Sequence, residues 1–339
     1  MVSWRWSLAL GLIAVAGCAG RPDQPVGKKV LDPPAEVPPP PAIKSVPLDQ
    51  DLVAEAKRVT FDAARADDAF LRANAIETLR EMPGDEASHA VLSALSDTQP
   101  AVRFAACVAS GERHLAAAKE PLLRMVHGDD DPSVRVSAIF ALHMLGDTRF
   151  SHELEKTAQS PSPHVRANTA LVLGLLGEKS AIKILNVLDR DVSAAVRIQA
   201  SEALWRLGDE QGLQDLVGYS ISEYPDDQII AVVALAEPRD QQVKEHVRGL
   251  LTSDYPEVAL AAARAMGMLG SDLGYRVAEK AVDSKDPRQR SLAALAFGEM
   301  GRTDAQPYLS KLLKDNDLQV RVSAAAGIME LARERGAGA

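Results

Sequence analysis

The dipeptide Val-Arg recurs along this chain at a fixed interval. Arg103, Arg135, Arg166, Arg197 and Arg321 each follow a valine. Their spacings are 32, 31, 31 and 124, the last being four times 31. Stepping by 31 through the gap reaches Gln228, Ala259 and Arg290, and stepping back from Arg103 reaches Arg72. Nine registers result, and seven of them carry arginine. A period of this length marks an array of small supersecondary units. No single unit can bury its own apolar face, so neighbours must stack.

Other columns share this register. Three residues before the arginine column stand Pro100, Pro132, Pro163, Pro225, Pro256 and Pro287. One residue earlier stand Asp68, Asp131, Ser162, Ser193, Asp286 and Asp317. An oxygen-bearing N-cap followed by proline at the first helical position is a helix start. Three residues after the arginine the chain carries alanine in eight registers, from Ala75 to Ala324, with Thr169 as the exception. Seven after it stand Leu79, Leu142, Leu173, Leu204, Leu235, Met266, Phe297 and Ile328. These two columns lie on one helical face. Gly146, Gly177, Gly208, Gly270 and Gly301 come eleven after the arginine, where a left-handed residue closes a helix. A second helix follows with its own apolar column: Val91, Leu122, Leu154, Leu185, Leu216, Val247 and Leu309. The fold class is therefore all-α: an α-solenoid of about nine 31-residue helix pairs over residues 51–335.

This grammar resembles the HEAT-like repeat family, and within it the short repeats of the phycobilisome bilin-lyase subunits. In that family a turn aspartate and a helix arginine form a ladder between neighbouring repeats. The resemblance implies such a ladder here for Asp131 and Arg135, Asp286 and Arg290, and Asp317 and Arg321, with Arg166 and Arg197 in the same column. It also implies an interruption near Gln228 and Ala259. The segment Leu52–Ala66, apolar at helical spacing, is expected to cap the N-terminal end of the array. The helix ending near Arg335 is expected to cap the other end.

The chain opens differently. Arg5 precedes the apolar run Leu8–Ala16, which is too short to span a bilayer as a mature helix. The run ends in Val15-Ala16-Gly17-Cys18, which resembles the lipobox of bacterial lipoproteins. The resemblance implies a signal peptide over residues 1–17, cleavage before Cys18, and diacylglycerol plus a third acyl chain on that cysteine. A plain secretory signal is the alternative. Ala19 follows the cysteine rather than aspartate, which implies delivery to the outer membrane, facing the periplasm. Nine of the chain's twenty prolines lie between Pro22 and Pro47, so residues 18–50 read as a lipid anchor and an extended spacer. Thirty such residues reach about 90 Å at most.

Little else suggests chemistry. The seven histidines form no metal-ligand pair at helical spacing with one another or with cysteine. The HEAT-type deoxyhypusine hydroxylases hold two irons with several His-Glu pairs, and this chain has one, His152-Glu153. No glycine-rich phosphate loop is present. Cys107 sits on an Ala- and Val-rich helix and reads as a buried structural thiol. The net charge of −9 argues against a nucleic-acid surface. The expectation is a non-enzyme with no cofactor, no metal and no small-molecule substrate: an envelope scaffold or adaptor that binds protein. An accessory subunit of a bilin-lyase-like enzyme is the alternative, and a purely structural lipoprotein a third reading. The helix that begins at the Asp-Pro turn is expected to line the binding face. That expectation puts Phe140, Met144, Leu171 and Leu175 in an apolar strip, with Trp205 and Arg206 beside it. If the register is displaced by one position, these residues are core.

Overall fold

The computed structural model describes residues 37–44 and 46–336, and the side chains of those up to 333. The expected signal peptide, Cys18 and the first part of the expected proline-rich spacer lie outside the described residues. Within them the chain is all-helical, with no strand. Among the described residues it divides into two compact units: one contains residues 64–216, the other the described residues before 64 together with 217–336.

The repeat register is the register of the structure. The first helices of the repeats run Ala69–Glu81, Pro100–Glu112, Pro132–Met144, Pro163–Leu176, Ala194–Arg206, Pro225–Ala236, Pro256–Met268, Pro287–Glu299 and Leu318–Gly336. Second helices such as Lys119–Gly128, Ile182–Leu188 and Tyr275–Ala281 alternate with them. Within each compact unit first helices pack on first helices, and second helices lean on the first helices beside them. The alanine column is fully buried, which lets these helices approach closely. At Thr169 the hydroxyl donates to the carbonyl of Val165, so the exception is satisfied within its own helix. Eight after the arginine, glycine stands in four registers, at Gly111, Gly174, Gly267 and Gly298, each against the next first helix. A Cβ on Gly174 would lie 2.9 Å from the Cα of Ala203, and one on Gly298 would lie 2.6 Å from the Cα of Gly327.

The turn chemistry follows the sequence with instructive exceptions. The five column glycines all have positive φ. His114 and Arg239 hold the same position without glycine and adopt φ of 51° and 56°. His114 is steadied there by contact of Nδ1 with the carbonyl of Met144, 3.1 Å away. In the first repeat Pro83 occupies the position, and Arg113 from the next repeat donates to the carbonyls of Leu79, Arg80 and Met82. In the ninth repeat the position is Ala332, and the helix runs on past it to Gly336.

The ladder exists, but its carboxylates are not the expected ones. Asp68, Asp131, Asp286 and Asp317 cap their own helices by accepting backbone N–H groups. The partners of the arginines stand two residues earlier, in the turn of the following repeat. Arg72 forks onto Asp97, Arg103 onto Asp129, Arg166 onto Asp191 and Arg290 onto Asp315, with donor–acceptor distances of 2.6–2.8 Å. Each arginine also reaches back to the carbonyl six residues before it, as Arg166 does to Ser160 and Arg321 to Asp315. The ladder carboxylates accept a backbone amide as well, as Asp97 does from Gln99 and Asp191 from Ser193, so each ties its own turn to the arginine of the preceding repeat. The ladder lapses where a serine replaces the turn aspartate. Arg135 keeps the carbonyl of Asp129, but the residue 25 further on is Ser160. The expected interruption at Gln228 and Ala259 is also present. Gln228 retains half the function, its amide donating to the carbonyl of Ser222.

The N-terminal segment departs from expectation. Helix Gln50–Ala63 packs on the last helix, Leu318–Gly336, and not as a cap at the start of the array. Leu52, Val53, Ala56 and Ala63 are the buried apolar residues of this helix, and they give it the face that packs on the ninth first helix. The residues before that helix do not run as a free spacer: Pro41, Ala42, Lys44, Pro47 and Asp49 dock on the array as a strap.

Ser160→Asp supplies the missing carboxylate at the spacing found between Arg72 and Asp97. It should raise stability by about 1 kcal/mol, the scale of a net charge-assisted hydrogen bond, measured by urea denaturation. Unchanged stability would mean the lapse at Arg135 is immaterial.

Candidate functional site

The expected apolar strip divides in two. Phe140 and Leu171, five after their arginines, are 1% and 7% exposed, and Trp205 is 6% exposed. The Phe140 ring lies against Gly111 of the preceding repeat, so it belongs to the joint between repeats and not to a free surface. Met144 and Leu175, nine after their arginines, are half-buried. The side chain of Arg206 is 2% exposed and is held by Glu202 at 2.7 Å. Gln199 donates to the other oxygen of Glu202.

The same column carries Glu81 and Glu112 in the two preceding repeats. Sequence reasoning missed them, although their position nine after Arg72 and Arg103 was a readable signal. Both keep an accessible rim, at 27% and 19% of their side chains. Arg80, itself buried, binds Glu112 at 2.8 Å and Glu81 at 2.9 Å. Glu77, one turn back, lies 3.7 Å from the same guanidinium, and its two oxygens accept no hydrogen bond. Burial pushes its carboxyl up to about 8, against the opposing pull of Arg80. Burial likewise raises Glu112, with Arg80 opposing. The C-terminal ends of the first helices in the 64–216 unit thus present, in order, Glu81, Glu112, Met144 and Leu175: an acidic edge running into an apolar one.

The remaining candidates are structural. Cys107 is buried beside the sulfur of Met125, and burial pushes its thiol up to about 12, which removes the thiolate needed for reactivity. His246 faces the Ser220 hydroxyl at 2.7 Å, and burial lowers its pKa. His152 and Glu153 form an exposed pair 3.5 Å apart. Among the described residues no three His, Cys, Asp or Glu side chains gather as a metal site. No described helix is long and apolar enough to cross a membrane.

Comparison with known proteins agrees with this architecture. A family model for HEAT repeats matches residues 58–143, 120–205 and 151–227. The chain matches no curated protein sequence. Among solved structures it is similar to a chain of the CpcE–CpcF complex of phycocyanin lyase from Nostoc sp. PCC7120. The identity is 18%, with 73% of this chain and 97% of that chain covered at a TM-score of 0.40. It is also similar to human deoxyhypusine hydroxylase, at 16% identity, with 84% and 98% covered and a TM-score of 0.37. Kap121p is a third, at 15% identity, with 85% and 38% covered and a TM-score of 0.34. At these identities and scores the likeness carries nothing about activity.

Two predictions follow from the split. Phe140→Asp puts a charge into the joint between repeats and should cost several kcal/mol, seen as loss of the cooperative thermal transition, whereas Met144→Asp should leave the melting temperature within a few degrees. Equal loss in both would place Met144 in the core as well. Glu77 binds a proton more tightly folded than unfolded, so its contribution to stability falls as pH rises from about 4.5 to about 8. Glu77→Gln should therefore stabilise the protein increasingly over that window, by a few kcal/mol at its upper end; a pH-independent effect in parallel melts would contradict the buried, protonated carboxyl.

Proposed function

Because this chain belongs to the HEAT-repeat family, we propose that it is a membrane-anchored scaffold or adaptor in a bacterial cell envelope, binding another protein and catalysing nothing itself. HEAT arrays suit protein binding because a stacked helical layer offers an extended, rigid surface on which each repeat contributes a few side chains. The observation that carries the reading is the row Glu81, Glu112, Met144 and Leu175, one residue per repeat and all partly exposed. A row that is acidic at one end and apolar at the other fits a partner presenting apolar side chains flanked by basic ones. Apolar residues supply the affinity, and charge supplies orientation and rate of encounter.

The anchor rests on the sequence Val15-Ala16-Gly17-Cys18. A thioether-linked lipid with a further acyl chain gives stable attachment, since two chains suffice where one is marginal. The reading assigns Cys18 to the outer membrane with the array on the periplasmic side.

The test has two arms. Cys18→Ser should move the protein from the membrane to the soluble fraction; retention in the membrane would refute the lipid anchor. A photocrosslinking amino acid at position 144 should capture one discrete envelope protein in the native cell, and Leu175→Asp, at a partly exposed position of the same row, should abolish that adduct without altering helical circular dichroism. An adduct insensitive to Leu175→Asp would refute the binding row. A bound chromophore, seen as visible absorbance, would favour a lyase-type subunit instead.

A further inference from the structure

Residues 37–63 stand outside the repeat grammar, and their contacts are about 260 residues away in sequence. The guanidinium of Arg302 is buried, and groups outside the strap hold it in place. It binds Asp272 at 2.7 Å and Asp304 at 2.6 Å, and it lies over the ring of Tyr275 at 4.2 Å. Tyr275 is wedged edge-on against Phe297, which stacks on Tyr308, and Tyr308 donates to Glu279. The donors left to this fork meet the carbonyls of Pro41 at 2.9 Å and Ala42 at 3.5 Å. Further along, the amide of Lys44 donates to Asp304 and the amide of Asp49 to Gln306, while Gln306 donates back to the carbonyl of Pro47. These contacts are to backbone atoms. Two of the strap's apolar side chains, Ile43 and Val46, are 68% and 41% exposed and add little burial.

The next element has the opposite character. Helix Gln50–Ala63 holds to Leu318–Gly336 through buried apolar residues. A repeat array covers the apolar flanks of its units by stacking. Here the flank of the ninth first helix is covered by a segment that precedes the first repeat, and the strap before it is held by a few polar contacts centred on one arginine.

We propose that residues 37–63 form a releasable latch. The surface beneath it, comprising the Arg302 fork, Gln306 and the flank of helix Leu318–Gly336, is a binding site for an extended proline-containing strand followed by an amphipathic helix. Its resident occupant is the chain's own N-terminal segment. The strap is the weak part. Segments with few buried apolar contacts open first, and opening here uncovers the cap helix. Whatever pulls on or binds the chain before Val37 therefore acts on the last repeats through Arg302. The latch does not depend on lipid at Cys18, so the two readings fail separately.

Hydrogen exchange on the full chain tests this, with Arg302→Ala and Gln306→Ala as separate variants. Gln306→Ala leaves the Asp272–Arg302–Asp304 cluster intact and guards against a general folding defect. The proposal expects exchange in both 50–63 and 318–331 to rise at least tenfold in each variant, with 132–144 unchanged. Three results overturn it: no rise in either variant, a rise confined to the strap, or a rise in Arg302→Ala that also reaches 132–144 while Gln306→Ala is unaltered.

Discussion

The bidentate bond from an arginine to the turn of the next repeat sets the geometry of this array. A guanidinium has five N–H donors in a rigid plane, enough to hold the carbonyls of its own turn and a neighbouring carboxylate together. Arg72, Arg103, Arg166 and Arg290 do both. The carboxylate is equally committed. Asp97, for example, takes the fork of Arg72 and the amide of Gln99, two repeats and one turn joined at a single group. The Arg72 fork holds the carboxyl of Asp97 below its usual range, and Arg290 does the same for Asp315. The stability these two lend is present above the ordinary carboxylate pKa and is lost as acid protonates them. Most of these side chains are shielded from water, which separates them from the exposed pairs that contribute little.

The ladder's lapse coincides with the division of the fold. Serine replaces the turn aspartate at Ser222, Ser253 and Ser284, and the arginine column fails at Gln228 and Ala259 over the same stretch. The boundary between the compact units, between Leu216 and Val217, falls at the start of it. Within the second unit the helices Pro225–Ala236, Pro256–Met268 and Pro287–Glu299 still pack one on the next, so that unit holds there without the polar joints.

Periodic features were legible in the sequence because one physical rule acts nine times. Proline at the helix start, the buried alanines and the left-handed glycines could each be checked against several copies. The ladder's carboxylate was harder. Aspartate recurs both four and six residues before the arginine, and only geometry shows that the first caps a helix and the second meets the neighbour. The candidate site was partly legible: Met144 and Leu175 keep partial exposure, Glu81 and Glu112 in the same column were missed, and Phe140 and Leu171 are inside. Phe140 and Met144 lie one turn apart on a helix that is apolar nearly all round, so period alone does not show that Phe140 meets Gly111 of the preceding repeat while Met144 stays partly exposed. The strap and cap helix were illegible for another reason. Nothing local in Pro41 or Ala42 announces a partner 260 residues away.

Function in such an array depends on rigidity, since a binding row with one residue per repeat keeps its spacing only if the repeats keep theirs. The central claim is therefore that the joints are energetically coupled, and a double-mutant cycle between Arg166 and Asp191 tests it most directly. Arg166→Ala, Asp191→Ala and the double variant, unfolded by denaturant, should give a coupling energy of about 1–3 kcal/mol. A coupling indistinguishable from zero, with the single substitutions simply adding, would show that the ladder decorates the array without holding it.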